Sequence, residues 1–251
     1  MKVRIKFSKH GAMKFIGHLD TQRYFQKLNR RAGLNVAYSE GFSPHQKMSF
    51  AMPLSVGLES EGEYLDLELK DAPSVTDWTG DHMTSDDLVN ALNSCGSEGI
   101  RITDCVRLPD KADNAMASVR AADYLVRFRE GYEPGTDISD LVRDFEDSEE
   151  YLIKKPVKKA SKPRRKKNDD NEGEAYNEID LKKLVYELRC VEDGIFIKAS
   201  AGSKDNIKPD LVIRSLYEKA GIELPPFALV ITRLELYTDN MVPLLDAGDA
   251  F

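Results

Sequence analysis

A strand followed by a basic helix opens the chain and decides how its first half folds. The stretch VRIKFSKHGAMKFIGHLDTQRYFQKLNRRAG occupies residues 3–33, where apolar and basic residues alternate before the apolar ones take up helical spacing. Alternation is typical of a strand with one buried face, and apolar residues three or four positions apart indicate an amphipathic helix. We predict that this helix has Asp20 as its N-cap, runs to about Arg31 and ends at Gly33.

The predicted helix has one apolar and one basic face. Its basic face, called the helix stripe below, consists of Arg23, Lys27, Arg30 and Arg31. Residues 1–50 contain ten Lys/Arg and two Asp/Glu, a balance of +8, which leaves −15 for residues 51–251 out of a total of −7. A positive region on an acidic body indicates a bound polyanion or phosphate, unless acidic residues of later strands fold over it.

The alternating and helical segments follow one another in the order β-α-β-β-α-β, and this order occurs twice. We therefore predict an α+β fold of two tandem ferredoxin-like modules with antiparallel sheets. The first module covers residues 1–111, the second covers residues 122–251, and residues 112–121 link them. Each module is expected to carry its two helices on one face of its sheet.

A charged run interrupts the second predicted module. Residues 154–167 contain nine Lys/Arg, and the next stretch, residues 168–178, contains five Asp/Glu. Such a segment has too few apolar residues for a core, so we predict a disordered insertion at about residues 158–176. Two roles stay open for it, namely a solubilising insertion and an electrostatic tether for nucleic acid.

Two histidine-bearing turns flank the predicted helix and supply the candidate site. In a nuclease, His18 would act as general acid or base and Asp20 would orient it, while in the alternative Asp20 only caps the helix. His45 lies in the second turn, where its ring is expected to reach the same surface. The candidate catalytic residues are thus His18, Asp20 and His45. The candidate phosphate- or nucleic-acid-binding residues are Lys14, His18, Arg23, Lys27, Arg30, Arg31, His45 and Lys47.

Metals, cofactors and membranes are not expected. The histidines lack the close spacing of a metal site, and Cys95, Cys105 and Cys190 form no Cys-x-x-Cys pattern. No apolar run approaches the length of a membrane-spanning helix, and the N-terminal residues alternate where a signal peptide would be continuously apolar. The sequence therefore predicts a cytoplasmic protein without a metal or a cofactor of its own.

Three spaced motifs resemble those of a known family. They are KFIGHLD at residues 14–20, YSEGFSPH at residues 38–45 and PLSVGLESEGEY at residues 53–64, with weaker similarity at residues 206–209 and 231–233. In order and spacing they are similar to the radical-SAM-linked protein family. The resemblance implies an accessory protein encoded beside, or fused to, a cobalamin-binding radical SAM protein, and it assigns no catalytic residue. This chain has no three-cysteine cluster motif of its own.

Three functions follow as hypotheses. The first is a non-catalytic binding module that presents RNA or another phosphate-bearing substrate to a radical SAM partner. The second is a metal-independent RNA hydrolase that uses His18. The third is a structural subunit whose basic face meets an acidic partner protein.

Overall fold

The computed structural model describes residues 1–70, 83–156, 176–203 and 205–251, and it has an α+β fold. Within these ranges there are ten strands and five α-helices, and the strands form a mostly antiparallel sheet. The charged insertion predicted at residues 158–176 lies almost wholly outside the described residues.

The first half contains four strands and two long helices. Their bounds are β1 (Lys2–Lys9), α1 (His18–Arg31), β2 (Met48–Phe50), β3 (Glu59–Glu68), α2 (Ser85–Cys95) and β4 (Ile100–Arg107). The buried apolar side chains of β1, Val3, Ile5 and Phe7, follow the predicted alternation. Phe7 packs against Phe25 of α1, with ring centroids 4.7 Å apart, so the apolar face of α1 covers this part of the sheet.

The second half follows a short helical connection. Its elements are α3 (Ala115–Ser118), β5 (Ala121–Phe128), α4 (Ile138–Asp147), β6 (Leu152–Pro156), β7 (Tyr176–Asp180), β8 (Val185–Val191), β9 (Gly194–Ser200), α5 (Pro209–Lys219) and β10 (Leu229–Tyr237). The predicted linker, residues 112–121, packs against the protein, because Ala115 and Val119 within it are completely buried in the core of the second half.

One sheet runs through both halves. Its strand order is β4-β1-β3-β10-β5-β9-β8, with β2 paired to β3 beside this path, while β6 and β7 form a separate ladder. The halves meet where β10 pairs in parallel with the start of β3, at Thr232 opposite Glu59 and Arg233 opposite Ser60. The other pairings are antiparallel. The chain therefore has two apolar cores on a single continuous sheet.

A glycine allows β3 and β10 to approach closely. A Cβ placed on Gly62 would lie 2.5 Å from the carbonyl oxygen of Leu234 and 2.9 Å from the Cα of Glu235. Both of these atoms belong to the backbone of β10, which cannot rotate away as a side chain can. The junction between the halves therefore requires a residue without a side chain at position 62.

The last part of the chain returns to the first half. Arg4 of β1 is fully buried, and it forms an ion pair with Asp66 in which its Nε lies 2.7 Å from the carboxylate. Its Nη1 also donates to the carbonyl oxygen of Leu244, 240 residues further along the chain. This arginine therefore fixes the C-terminal segment against the face of the sheet opposite the helices of the first half.

Candidate functional site

Helix α1 begins three residues earlier than the sequence predicted. Its N-cap is Gly17, and no side chain caps it, so the assignment of Asp20 as the N-cap is wrong. Asp20 instead lies in the first turn, exposed, and pairs with Arg23 at 3.2 Å. The end of the helix is as predicted: Gly33 has φ of 68°, and the Leu34 amide donates to Asn29 across the last turn.

His18 is half-buried at the start of α1. Its ring lies edge-on to Phe50, with centroids 5.3 Å apart and the planes at 84°. The same side chain lines a narrow cavity together with Lys9 and Glu63, and not with Asp20, whose carboxylate is engaged by Arg23. Within the described residues, then, the pairing of His18 with Asp20 that a nuclease would need is not formed.

His45 lies in a different place from His18. It is exposed, and its Nδ1 is 2.8 Å from the hydroxyl of Ser39, across the turn that Tyr38 and Gln46 close. The next residue, Gln46, donates to the carbonyl oxygen of Gln26 in the middle of α1. The described contacts do not join the two histidines. Over the described ranges, no group of three or more His, Cys, Asp or Glu side chains is arranged to hold a metal ion.

Acidic residues of later strands neutralise several of the predicted phosphate-binding cations. Lys14 pairs with Glu59 and Lys47 pairs with Glu68, each at 3.1 Å. Three of the four helix-stripe residues differ from them. Lys27, Arg30 and Arg31 are exposed, and in the described part of the chain none of the three has a carboxylate partner. Of the predicted phosphate-binding cations, those without a carboxylate partner in the described part thus lie on one face of α1.

A group of buried charges lies between the two halves, and no local sequence pattern indicated it. Arg233 is 1% exposed, and its Nε lies 2.8 Å from a carboxylate oxygen of Glu63, while its Nη2 contacts both oxygens. Burial acts to lower the pKa of Arg233, but the Glu63 carboxylate outweighs it and holds that pKa above the ordinary value. The hydroxyl of Tyr124 also faces Arg233, and burial raises the pKa of Tyr124.

Lys9 is the second buried cation of this group. It is 2% exposed, and its ammonium donates to the carbonyl oxygen of Ile16 at 2.9 Å. Burial lowers the pKa of Lys9, against the attraction of Glu63. One carboxylate, Glu63, therefore attracts two buried cations, Lys9 and Arg233. The sequence patterns predicted no burial for either cation, so this group was not foreseen.

A cleft of about 430 Å³ opens above Arg233. One wall is the segment 52–58, and the other is formed by the start of α5 and the turn before β10. The residues around it are Met52, Pro53, Leu54, Ser55, Val56, Leu58, Tyr124, Asn206, Lys208, Pro209, Asp210, Arg214, Pro226, Phe227, Leu229, Ile231 and Arg233. The cleft is thus mainly apolar, with charged groups at its floor and rim.

Three of the motif segments quoted from the sequence meet at this cleft. Segment 53–58 forms one wall, the segments 206–209 and 231–233 supply residues opposite it, and Gly57 donates its backbone N–H to the carbonyl oxygen of Lys14. The motif that contains His45 is elsewhere, beside the middle of α1. Segments from both halves of the chain therefore build one cleft, and α1 starts next to it.

These features define a class: an α+β protein with a basic helix face and a charged, largely apolar cleft between two halves of one sheet. Residues 2–209, most of the chain, match the family described as "Uncharacterized protein conserved in bacteria (DUF2344)", and the chain belongs to that family. No curated protein matches it. None of the helices in the described ranges has the length and apolar character needed to span a bilayer.

Proposed function

We propose that this protein is a non-catalytic binding module that presents RNA, or another phosphate-bearing substrate, to a radical SAM enzyme. The observation that carries the proposal is that three of the four helix-stripe cations have no carboxylate partner in the described part. Five other cations of the N-terminal fifty residues, Arg23 of the stripe among them, are paired with carboxylates, whereas Lys27, Arg30 and Arg31 face solvent without one. Cations in this condition are available to phosphates, and neutralising phosphates releases counterions.

The hydrolase hypothesis has less support from the geometry. A general base needs a partner that orients it, and Asp20 contacts Arg23 and not His18. The ring of His18 instead packs on Phe50, an interaction typical of a structural histidine. We therefore propose binding without turnover as the function of this end of the molecule.

We further propose that each half is a ferredoxin-like module and that the protein works in the cytoplasm. The strand orders β4-β1-β3-β2 and β10-β5-β9-β8 support the first point, since each places the first and third strands of its half in the centre. The three cysteines are free, which suits a reducing compartment. The resemblance of the motif segments supports a cobalamin-binding radical SAM protein as the partner.

Replacing Lys27, Arg30 and Arg31 together by Ala should weaken binding of a labelled transfer RNA, used as a structured RNA, roughly 100-fold at low salt. The slope of log affinity against log salt should become shallower by about two, because each lost phosphate contact removes roughly 0.7–0.9 from it. Fluorescence anisotropy across a salt series measures both quantities.

The matched control replaces Arg129, Arg143 and Lys183, three exposed cations of the second half, by Ala. It changes the net charge by the same amount and should alter affinity and slope little. Equal losses in both triple variants would mean that only net charge matters, and the stripe would not be a binding site. The same mixtures are run on gels, where cleavage of the RNA by the parent protein would favour the hydrolase hypothesis.

Mixing the protein with a purified cobalamin-binding radical SAM protein from the same cell should give a complex at micromolar concentrations. The charge division of the chain favours this, because a partner on the acidic part does not compete with RNA on the stripe. Sedimentation velocity with and without transfer RNA measures the association. The triple stripe variant should still bind the enzyme, and absence of any complex under both conditions would contradict the accessory role.

A further inference from the structure

The cleft above Arg233 has the size and lining of a small-molecule site. Its volume of about 430 Å³ falls within the range of roughly 300–1,000 Å³ common for ligand pockets. Leu54, Val56 and Leu58 form an apolar wall, and Pro226 and Phe227 face them from the other side. None of the helix-stripe residues lines the cleft, so it is a separate surface from the one proposed for RNA.

The charges around the cleft are mostly positive. Lys208, Arg214 and Arg233 contribute to its lining, against the single carboxylate of Asp210. Lys208 is exposed and has no partner in the described part of the chain. Arg214 donates to the backbone carbonyl oxygens of Leu224 and Pro225, so its charge is positioned but is not neutralised by a carboxylate there.

Beneath the cleft the balance is also positive. Glu63 is shared between Arg233, which it contacts directly, and Lys9, which it attracts from within the core. Positive groups in a partly desolvated concave surface attract anions more strongly than the same groups on an open surface. The cleft is therefore suited to a ligand with one anionic group.

Phe227 is the second, independent sign of a ligand. Its ring is 79% exposed at the rim of the cleft, and its φ of 63° lies in the left-handed region. A bulky residue rarely adopts this conformation, because its side chain crowds the backbone. Strain of this kind collects at ligand clamps, and here it presents an aromatic ring to the cleft without burying it in the core.

We propose that this cleft binds a small organic anion, with its flat apolar body against Phe227 and Val56 and its carboxylate or phosphate group beside Lys208 and Arg214. The site is independent of the helix stripe. An experiment that contradicts RNA binding at the helix stripe therefore leaves small-molecule binding in the cleft untouched, and the reverse also holds.

The probe for this site is 8-anilinonaphthalene-1-sulfonate, an aromatic fluorophore with one anionic group. It should bind the native protein with a stoichiometry of one, and the uncharged analogue N-phenyl-1-naphthylamine should bind at least about tenfold more weakly. Phe227→Gly should weaken binding of the sulfonate about tenfold, since it removes one aromatic contact. Lys208→Ala should give a similar loss for the sulfonate and none for the uncharged dye.

Met241→Gly is the matched control for Phe227→Gly. Met241 also has a positive φ, 55°, and it does not line the cleft, so the change relieves similar backbone strain without removing the aromatic ring. We expect both glycine variants to melt no lower than the parent, and only Phe227→Gly to lose affinity. The triple stripe variant should bind the dye as the parent does.

Competition identifies the anionic group. Stronger displacement of the dye by 1-naphthyl phosphate than by 1-naphthoate assigns a phosphate ligand, and the reverse order assigns a carboxylate. The proposal is overturned if neither compound displaces the dye, if the uncharged dye binds as tightly as the sulfonate, or if Phe227→Gly binds the sulfonate as the parent does.

Discussion

Glu63→Gln lowers the free energy of unfolding by about 5 kcal/mol, and Arg233→Met lowers it by about 3 kcal/mol, near the two ends of the range for a broken buried ion pair. The order follows from the shared carboxylate. Without Glu63, two buried cations, Lys9 and Arg233, lose the carboxylate that attracts them both, whereas without Arg233 the carboxylate still attracts Lys9. Urea unfolding followed by circular dichroism measures both changes.

A third variant and a surface control test the explanation. The double variant Glu63→Gln with Lys9→Met should be more stable than Glu63→Gln alone, because it removes one of the uncompensated cations. Asp140→Asn breaks an exposed pair with Arg143 and should change stability by no more than about 0.5 kcal/mol. If Arg233→Met proves the more damaging of the two single changes, Lys9 does not depend on Glu63 and the shared-carboxylate account is wrong.

Gly62→Ala is expected to cost about 3 kcal/mol, the upper part of the usual range for overpacking. The new methyl group meets the backbone of β10, with the carbonyl oxygen of Leu234 only 2.5 Å from it, so one strand must move away from the other. Thermal melts measure the loss. Hydrogen exchange should show the extra opening at the β3–β10 junction before it appears in β4 or β8, which lie at the sheet's two edges.

Gly135→Ala is the control, because nothing lies within 4 Å of the Cβ position at residue 135 and its φ is not in the left-handed region. It should leave stability within about 1 kcal/mol of the parent, or raise it slightly by restricting the unfolded chain. A Gly62→Ala variant as stable as Gly135→Ala would show that β3 and β10 separate at little cost. The two halves would then be joined less firmly than their contacts indicate.

Local patterns predicted the elements well wherever one periodicity covered a whole segment. The alternation at the start of the chain corresponds to β1, and the helical spacing after it corresponds to α1, which ends at Arg31 as predicted. Residues 34–39, which follow α1, form only isolated bridges, of Val36 with Leu69 and of Tyr38 with Gln46.

The cleft and its buried charges were beyond prediction from local sequence. Arg233 and Glu63 are 170 positions apart, and Arg4 is covered by a segment 240 positions away, so no short window contains both members of either contact. The prediction of where α1 starts was wrong for another reason. Capping preferences are worth about 1 kcal/mol, which the packing of His18 on Phe50 is able to override.

The parallel pairing of β3 with β10 also has a consequence for how the protein is made. Residues 59 and 60 leave the ribosome well before their partners at positions 232 and 233, so this edge of β3 stays unpaired while more than half of the chain is synthesised. An open strand edge is a template for pairing with other nascent chains. Completion of β10 closes that edge, and a fragment truncated before it would leave it available to aggregate.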